Sequence, residues 1–325
     1  MKTWDQLTER GRLRRAKGVA VAALERYPVE VLGLRLIGGF TNALYRVDTP
    51  DGPLAMRVDL MQEHSDADAD IELGWLEALA SDRVVNVSAP IRTSDGELYT
   101  HATAPGVPGS RRCTLLTWVP GRALADRVEP RHFEAYGTMS ALLHRHGARH
   151  QPPHRPMAWD RVFYYPEAVD PVVWNRPENA ALLPAGGVAV VDEAIEIIQS
   201  TFDAIPDSDR QVVHGDLHLW NVHVRRNELW ALDFEDIMWA TPGQDIAITL
   251  YYVDEGAERQ GLIEAFRRGY EAVAPWPTHE LELDVFMAAR RTMFVNFVFN
   301  IDLPDREAFL ERSIPKLAAF VARHS

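Results

Sequence analysis

The residues best suited to chemistry lie between His214 and Asp233 of the 325-residue chain. Asp216 and Asn221 are five positions apart on a predicted loop, and Asp233 ends the apolar run 229–232, twelve residues after Asn221. Phosphoryl transfer from a magnesium–nucleotide complex requires an acid that orients or deprotonates the accepting hydroxyl, and oxygen ligands for Mg²⁺. The order of these residues predicts Asp216 as that acid, and Asn221 and Asp233 as the metal ligands.

The composition is ordinary for a globular protein, with 46% hydrophobic and 25% charged residues. The length allows one large or two modest domains. A formal net charge of −13 argues against nucleic acids and anionic membranes as partners, because both carry negative charge themselves. The single cysteine, Cys113, excludes an intrachain disulfide and is predicted to be a buried, unreactive core residue.

No apolar run is long enough to span a membrane. The short apolar segment 19–24 follows several basic residues and faintly resembles a signal peptide. However, Glu25 and Arg26 close it, and Asp5 and Glu9 precede it. We therefore predict an amphipathic first helix and a cytoplasmic protein.

The elements that must position the polar residues change in character along the chain. Alternating apolar residues predict strands in the N-terminal third, at 31–37, 44–48, 54–60, 97–102 and 113–119. One helix interrupts these strands, because Ile71, Trp75 and Leu79 fall at helical spacing and Ser65 and Asp66 are suited to its start.

After Pro120-Gly121 the hydrophobic pattern becomes mainly helical. Examples are the segments 133–145, 190–201, 257–270 and 279–300. A sheet-rich part followed by a helix-rich part predicts an α+β fold with two lobes, 1–118 and 119–325. The irregular segment between His150 and Gly187, rich in proline and aromatic residues, is either a packed connection or a substrate-facing lid.

The predicted strand 54–60 alternates strictly, so Ala55 and Arg57 share the face opposite its apolar residues. A small residue beside a cation suits a nucleotide site, because the first leaves room for a base and the second reaches toward phosphates. The alternative is an edge strand with a solvated face.

Three further segments fit the same nucleotide site. Gly38 and Gly39 allow backbone N–H groups to approach phosphate oxygens, although paired glycines are also common in hairpin turns. Glu72 is placed to pair with Arg57, although composition alone favours an ordinary exposed glutamate. The extended segment 115–121 joins the two lobes and is placed to offer backbone groups to an adenine edge. No Walker-type G-x-x-x-x-G-K-[ST] motif occurs, which excludes a P-loop protein.

The motifs together resemble the aminoglycoside phosphotransferase and choline kinase family. The family's H-G-D-x-H-x-x-N hallmark is met in full over residues 214–221, and its metal-binding aspartate by Asp233-Phe234. The downstream D-x-A is met by Asp245-Ile246-Ala247, and a Leu-His pair by Leu143-His144. The resemblance runs from about residue 31 to about residue 300. It implies a bilobal protein-kinase-like fold, with an N-terminal antiparallel-sheet lobe carrying one helix and a larger, mainly helical C-terminal lobe.

The resemblance also implies ATP and Mg²⁺ as cofactors and assigns roles to individual residues. Asp216 is the expected base, and Arg57 with Glu72 the phosphate-positioning pair. Thr117 and Val119 are expected to offer backbone groups to adenine. His214, His218 and Asp245 are expected to brace the loop. The two histidines four apart also suit zinc, but no third ligand has the usual spacing.

Two departures from the family pattern concern Arg57 and Glu235. The family usually has lysine where this chain has Arg57, and arginine does not replace lysine without a change in geometry. Glu235 follows Asp233-Phe234 where protein kinases have glycine, and no A-P-E segment follows. Glu235 and Asp236 either face a cationic substrate or cap the following turn.

Residues after the motifs are candidates for binding the phosphate acceptor. They are Asp236, Trp220, Trp239, Tyr251 and Arg290. The aromatic members alternatively pack in the core, and Arg290 with Arg291 either binds an anionic acceptor or caps the lobe surface.

The sequence thus predicts an ATP- and Mg²⁺-dependent kinase acting on a hydroxyl of a small polar molecule, which is aminoglycoside-, choline- or homoserine-like. The intact Asp216, Asn221 and Asp233 favour it. The alternatives are a degenerate kinase-fold protein that binds nucleotide without catalysis, a metal-dependent phosphoesterase, and a Ser/Thr protein kinase.

Overall fold

The chain forms two compact units in the computed structural model, which describes residues 2–39, 41–253 and 259–324. The first comprises Met1–Gly121, Pro152–His154 and Trp230–Glu235, and the second comprises Arg122–Gln151, Arg155–Leu229 and Asp236–Ser325. An antiparallel sheet dominates the first unit and helices dominate the second, so the predicted α+β class is confirmed. The division into 1–118 and 119–325 stays a prediction.

Two short helices, a five-stranded sheet and one long helix build most of the first unit. Its elements are α1 (Glu9–Arg15), α2 (Lys17–Leu24), β1 (Gly33–Gly38), β2 (Asn42–Thr49), β3 (Gly52–Asp59), α3 (Asp66–Asp82), β4 (Asn86–Val87), β5 (Thr100–Ala102) and β6 (Arg111–Thr117). The sheet order is β1-β2-β3-β6-β5, and each strand runs antiparallel to its neighbours.

Helix α2 covers one face of this sheet. Its Val19 and Ala23 are fully buried together with Met56 and Val58 of β3. Because side chains alternate along a strand, this packing places Arg57 on the opposite face, as the sequence predicted. Helix α3 starts as predicted, since Ser65 and Asp68 form a reciprocal capping box at its N-terminus.

Several strand boundaries predicted for the first unit differ from the structure by one to three residues. The helix predicted for the segment 19–24 is α2, which α1 precedes with Ala16 between them, and β5 begins at Thr100 instead of residue 97. Strand β6 ends at Thr117, two residues before the predicted end, because the N–H of Thr117 donates to the carbonyl of Ala89 outside the five-stranded sheet. Cys113 is fully buried, and burial raises its pKa to about 12, in keeping with the predicted core role.

Most of the described residues of the second unit lie in six helices of ten or more residues, α4 and α6 to α10, and in small sheets. Its elements are β7 (Arg122–Ala123), α4 (Pro130–Gly147), β8 (Met157–Ala158), α5 (Pro177–Ala180), α6 (Gly187–Ala204), β9 (Gln211–Val213), β10 (Val222–Arg225), β12 (Met238–Ala240), α7 (Pro242–Tyr251), α8 (Arg259–Glu271), α9 (Glu280–Asn300) and α10 (Arg306–His324). Strand β11 (Glu228–Ala231) leads the chain into the 230–235 segment of the first unit, where it pairs with β4. The first two residues of the predicted helix 257–270 lie outside the described residues.

The segment between His150 and Gly187 is largely a packed connection. Trp159, Tyr164 and Trp174 are buried in the main core of the second unit, together with apolar residues of α6, α9 and α10. The lid interpretation is therefore wrong for these three aromatic residues.

No helix among residues 2–39, 41–253 and 259–324 is long and apolar enough to span a membrane.

A buried asparagine of α9 fixes this connection. Asn296 is fully buried, and its Oδ1 accepts hydrogen bonds from the N–H groups of Val173 (2.7 Å) and Trp174 (3.2 Å). Its Nδ2 donates to the carbonyl of Pro171 (3.0 Å).

We expect Asn296→Ala to lower the free energy of unfolding by about 2–4 kcal/mol, because several buried polar groups lose their partners. Urea denaturation checks this, with the exposed Gln260→Ala as the control, for which a change below about 0.5 kcal/mol is expected.

Candidate active site

Arg57 forms the centre of a charged cluster in the first unit. Its Nη1 and Nη2 donate to the two carboxylate oxygens of Glu72 at 2.7 and 2.6 Å. Both side chains are buried, so Glu72 is not the ordinary exposed glutamate that composition favoured. Burial opposes the charge of Arg57, but the carboxylates of Glu72 and Glu235 outweigh it and raise the pKa of Arg57. The guanidinium is therefore permanently charged and held in one orientation.

Glu235 belongs to the same cluster. Its Oε1 lies 3.3 Å from Nη1 of Arg57, and the side-chain amide of Asn42 donates to both of its carboxylate oxygens at 3.0 and 2.9 Å. The oxygens of this carboxylate contact Arg57 and Asn42, a role that neither sequence interpretation included, whether facing a cationic substrate or capping the next turn. Neither contact was predicted.

Ala55, Gly38 and Gly39 are further residues of the first unit that are predicted to bind the nucleotide. Ala55 is half-buried on β3, two residues before Arg57. Gly38 ends β1 and Gly39 follows it, and both have a positive φ. A side chain at Gly39 would collide with the carbonyl oxygen of Asn42, at 1.7 Å from its Cβ, so only glycine fits there.

The two residues predicted to meet adenine differ in their backbone partners. The N–H of Thr117 donates to Ala89, and its carbonyl accepts the hydroxyl of Ser88 at 2.8 Å. Among the described residues, none hydrogen-bonds to the backbone of Val119. Val119 is therefore the better candidate of the two for pairing with a base edge.

Asp233 is an exposed residue of the first unit with an unusual backbone conformation. Its φ is +61°, in the left-handed region that residues other than glycine seldom adopt. Its carboxylate contributes to the raised pKa of Arg57. Such backbone outliers concentrate at functional sites, where the surrounding structure enforces them.

Asp216 of the second unit is held by a buried arginine. Nη2 of Arg290 donates to Oδ1 of Asp216 at 2.7 Å. The same guanidinium donates to the hydroxyls of Tyr164 (3.2 Å) and Tyr252 (3.3 Å). Burial raises the pKa of Asp216 to about 6, against the effect of the Arg290 charge, which lowers it. Arg290 is buried, so the interpretation that it caps the lobe surface is wrong.

The loop that carries Asp216 is fastened at Gly215, the residue before it. Oδ1 of Asp245 accepts the N–H of Gly215 at 2.8 Å, and Oδ2 of Asp245 is bonded to Nε2 of His144 at 2.9 Å. Burial would raise the pKa of Asp245, but its bonds to His144 outweigh this effect and lower it. Gly215 has a positive φ of 82°, and its Cβ position lies 1.8 Å from the carbonyl oxygen of Asp236, so no side chain fits.

The two loop histidines make hydrogen bonds to the backbone of the loop. Nδ1 of His214 accepts the N–H of Asp216 at 3.3 Å, and Nδ1 of His218 accepts the N–H of Asn221 at 3.2 Å. Burial lowers the pKa of His218 to about 4, so this ring is neutral and its Nε2, 3.4 Å from Oδ2 of Asp216, carries the proton. No cluster of three or more metal-binding side chains of the zinc type occurs among the described residues.

Asn221 is the candidate metal ligand of the second unit. Its Nδ2 donates to the backbone carbonyl of Asp216 (3.0 Å) and lies 3.3 Å from Oδ2 of the same residue. The amide oxygen Oδ1 is therefore the atom that Asn221 can offer to a cation. An amide oxygen here and the carboxylate of Asp233 are hard oxygen ligands of the kind that Mg²⁺ prefers.

Aromatic rings surround the Asp216–Arg290 pair. The ring of Tyr252 lies 4.9 Å from that of His218, 5.7 Å from that of Trp220 and 5.3 Å from that of Tyr251. Trp220 is 55% exposed, whereas the half-buried Tyr251 stacks on Phe294 of α9. The sequence reading missed Tyr252, although it follows Tyr251 directly.

Two further acceptor candidates have different surroundings. Asp236 accepts a hydrogen bond from the hydroxyl of Tyr165 at 3.0 Å. Trp239 instead donates to the exposed Asp207 at 3.1 Å, and the guanidinium of Arg155 stacks on its ring at 4.7 Å. Within the described part of the chain, Trp239 thus contacts Asp207 and Arg155 and makes no hydrogen bond or ring contact with Asp216, Arg290 or Tyr252.

Comparison with protein families gives a match over most of the chain. The model of the phosphotransferase enzyme family covers residues 33–277, which include all the motifs described above. The chain belongs to this family. The predicted family membership is thus confirmed, and this phosphotransferase has no significant match among curated protein sequences.

Solved structures similar to this phosphotransferase share its fold at low sequence identity. An amicoumacin kinase in complex with AMP-PNP, Ca²⁺ and amicoumacin has a TM-score of 0.72 and 19% identity, over 97% of this chain and 94% of the other. A microcompartment-associated aminopropanol kinase has a TM-score of 0.69 and 19% identity, over 92% and 93%. A choline/ethanolamine kinase family protein from Mesorhizobium loti has a TM-score of 0.62 and 18% identity, over 96% of both chains. These likenesses support the kinase-like fold of the phosphotransferase.

Proposed function

We propose that this phosphotransferase moves the γ-phosphoryl group of ATP, bound with Mg²⁺, to a hydroxyl group of a small polar molecule. The observation that carries the proposal is the Asp216 carboxylate, which is held at Oδ1 by Arg290 on a loop fastened by Asp245. A carboxylate fixed in this way is suited to orient an acceptor hydroxyl. Family membership supports phosphoryl transfer as the reaction type. The identities of the acceptor and of the nucleotide are our proposal.

The proposed roles follow from the contacts of each side chain. Oδ2 of Asp216 accepts the proton of the acceptor hydroxyl as the hydroxyl oxygen attacks the γ-phosphorus and the bond from that phosphorus to the departing ADP breaks. Oδ1 of Asp216 stays bonded to Arg290. Arg57 donates to nucleotide phosphates from the orientation set by Glu72, and the backbone of Val119 pairs with the adenine edge. Fixed donors and charges of this kind stabilise the charge that develops in the transition state.

The chemistry of the candidate ligands fits a magnesium ion. Asn221 and Asp233 would hold it through an amide oxygen and a carboxylate, which are hard oxygen ligands of the kind that Mg²⁺ prefers. When bound, the ion neutralises charge on the transferring phosphoryl group. The ATP-analogue and Ca²⁺ complex of the amicoumacin kinase supports a nucleotide–cation pair for this fold.

The aromatic residues and Asp236 support an acceptor that carries an amino group. The exposed ring of Trp220 and the neighbouring Tyr252 offer faces that attract a cation, and Asp236 supplies a carboxylate in the same unit. Asp216 is already paired with Arg290, so its charge is largely satisfied. We therefore propose a hydroxylated amine as the acceptor class, with Trp220, Tyr252 and Asp236 as its binding residues, and no nucleic acid or membrane partner.

The experiment that tests the proposed function is an ADP-release assay with ATP, Mg²⁺ and a panel of small hydroxylated amines, amino acids and sugars. Acceptor-dependent ADP formation supports the proposal. Hydrolysis of a generic phosphoester by metal-loaded protein, without nucleotide, would support a phosphoesterase instead. Binding of Mg·ATP without ADP formation from any acceptor would support a degenerate kinase-fold protein.

The pH dependence of the reaction follows from the state of Asp216. Only the ionised carboxylate accepts the hydroxyl proton, so with a pKa of about 6 the rate should fall roughly tenfold per pH unit well below pH 6. In Arg290→Met the opposing positive charge is lost, so the pKa of Asp216 rises further. We expect the acid limb of the kcat/KM profile to move up by at least about one pH unit. An unshifted acid limb in this variant would contradict the assignment of Asp216 as the base.

A further inference from the structure

Glu235 is held in place on two sides within the first unit. Both of its carboxylate oxygens accept from the amide of Asn42, and Oε1 lies 3.3 Å from Nη1 of Arg57. Its side chain is only 15% exposed. A glutamate that merely served solubility would not be desolvated and bonded in this way.

The contacts of Arg57 show what Glu235 does in this arrangement. Arginine has five N–H donors. Glu72 from α3 takes one on each of Nη1 and Nη2, and Glu235 lies beside Nη1, which also bonds Glu72. The N–H of Nε and the second N–H of Nη2 are the donors that remain for further acceptors. The guanidinium is thus oriented by carboxylates from two separate segments of the chain.

An arginine depends on such orientation more than a lysine does. The ammonium of lysine is a compact charge with three rotatable donors, whereas the guanidinium is a planar fork whose donors point in fixed directions. The guanidinium N–H groups can therefore donate to a phosphate oxygen only when the guanidinium plane has the right orientation. Asn42 stands on β2, the neighbour of β3 in the sheet, and so ties Glu235 to the strand pair that carries Arg57.

We propose that Glu235 is a positioning residue for Arg57, and that Asn42 holds Glu235 in place for this task. The inference rests on the proposed function, because it assigns Arg57 to the nucleotide phosphates. Glu235 acts through Arg57 and touches neither the nucleotide nor the acceptor. Glu72, Glu235 and Asn42 together form the support that lets an arginine serve at this position.

The test is calorimetric binding of Mg·AMP-PNP to the full chain, combined with a mutant cycle. Glu235→Ala should weaken binding at least tenfold, and Asn42→Ala about three- to tenfold, although Asn42→Ala removes no charge. In the Glu235→Ala background, Asn42→Ala should change the affinity less than twofold, because Asn42 acts through Glu235. Glu77→Ala, which breaks an exposed pair with Arg92, is the control and should leave the affinity unchanged.

The possible results distinguish a failure of the inference about Glu235 from a failure of the proposed function. Failure of the unmutated protein to bind Mg·AMP-PNP would contradict the proposed function itself. Normal binding by the unmutated protein with unchanged or tighter binding by Glu235→Ala would overturn the inference, and so would additive effects in the cycle. An increase confined to the KM of the acceptor would also overturn it. If Glu235→Ala does not fold, Glu235→Gln takes its place, with at least a threefold loss expected and an unchanged affinity contradicting the inference.

Discussion

Replacing Asp216 by asparagine is expected to lower kcat by a factor on the order of 10²–10⁴ while nucleotide affinity changes less than about threefold. Asparagine has the shape of aspartate and keeps an oxygen for the bond to Arg290, but it cannot take up the proton of the acceptor hydroxyl. The substitution thus removes the base and leaves the support around it. Single-turnover kinetics with a true acceptor, together with a titration of Mg·ATP, measure both quantities.

The matched control is Asp209→Asn, which makes the same chemical change at an exposed site of the second unit. This variant should react at the rate of the unmutated protein. Undiminished turnover by Asp216→Asn would remove Asp216 from the mechanism. A parallel loss of Mg·ATP binding would mean that the substitution disturbed the fold instead of the chemistry.

Arg57→Met is expected to lower the free energy of unfolding by about 3–5 kcal/mol and to abolish measurable Mg·ATP binding. The substitution leaves the carboxylate of Glu72, only 4% exposed, without its counter-charge in a desolvated position. It also removes the phosphate donor. Urea denaturation and calorimetry measure the two effects separately.

A second variant distinguishes the two roles of Arg57. In Arg57→Met with Glu72→Leu the buried charge is gone as well, so much of the stability should return while nucleotide binding stays absent. Arg92→Met is a matched control, because Arg92 makes the same bidentate contact with Glu77, also of α3, but in an exposed position. Its cost should stay below about 1 kcal/mol. Recovery of nucleotide binding in the double variant would refute the role of Arg57.

Local patterns were sufficient to predict much of the fold. The strict alternation of 54–60 placed Arg57 opposite the core, and the polar residues before the apolar stripe of α3 marked its start at Ser65. Helical periodicity located α4, α6 and α9 to within a few residues. These features depend on neighbours in the sequence. The ends of β5 and β6 depend on partners elsewhere in the chain, and there the sequence reading was off by two or three residues.

The contacts of the site were harder to predict because they join residues far apart in the chain. Asn42 meets Glu235 across 193 positions, and Arg290 meets Asp216 across 74. Only the doublet Tyr251-Tyr252 gave a local signal for an aromatic residue beside the loop. Arg290 carried the right chemical type, but an arginine on an apolar helix face has the same pattern whether it serves an acceptor, the surface or a buried carboxylate.

The most direct test of the central claim is phosphorus NMR of a reaction containing the protein, ATP, Mg²⁺ and a panel of hydroxylated amines. We expect a new phosphomonoester resonance that grows in step with ADP, that requires both the acceptor and Mg²⁺, and that is lost in Asp216→Asn. ATP that stays intact with every acceptor, although the protein binds Mg·ATP, would contradict it, and so would inorganic phosphate as the sole product.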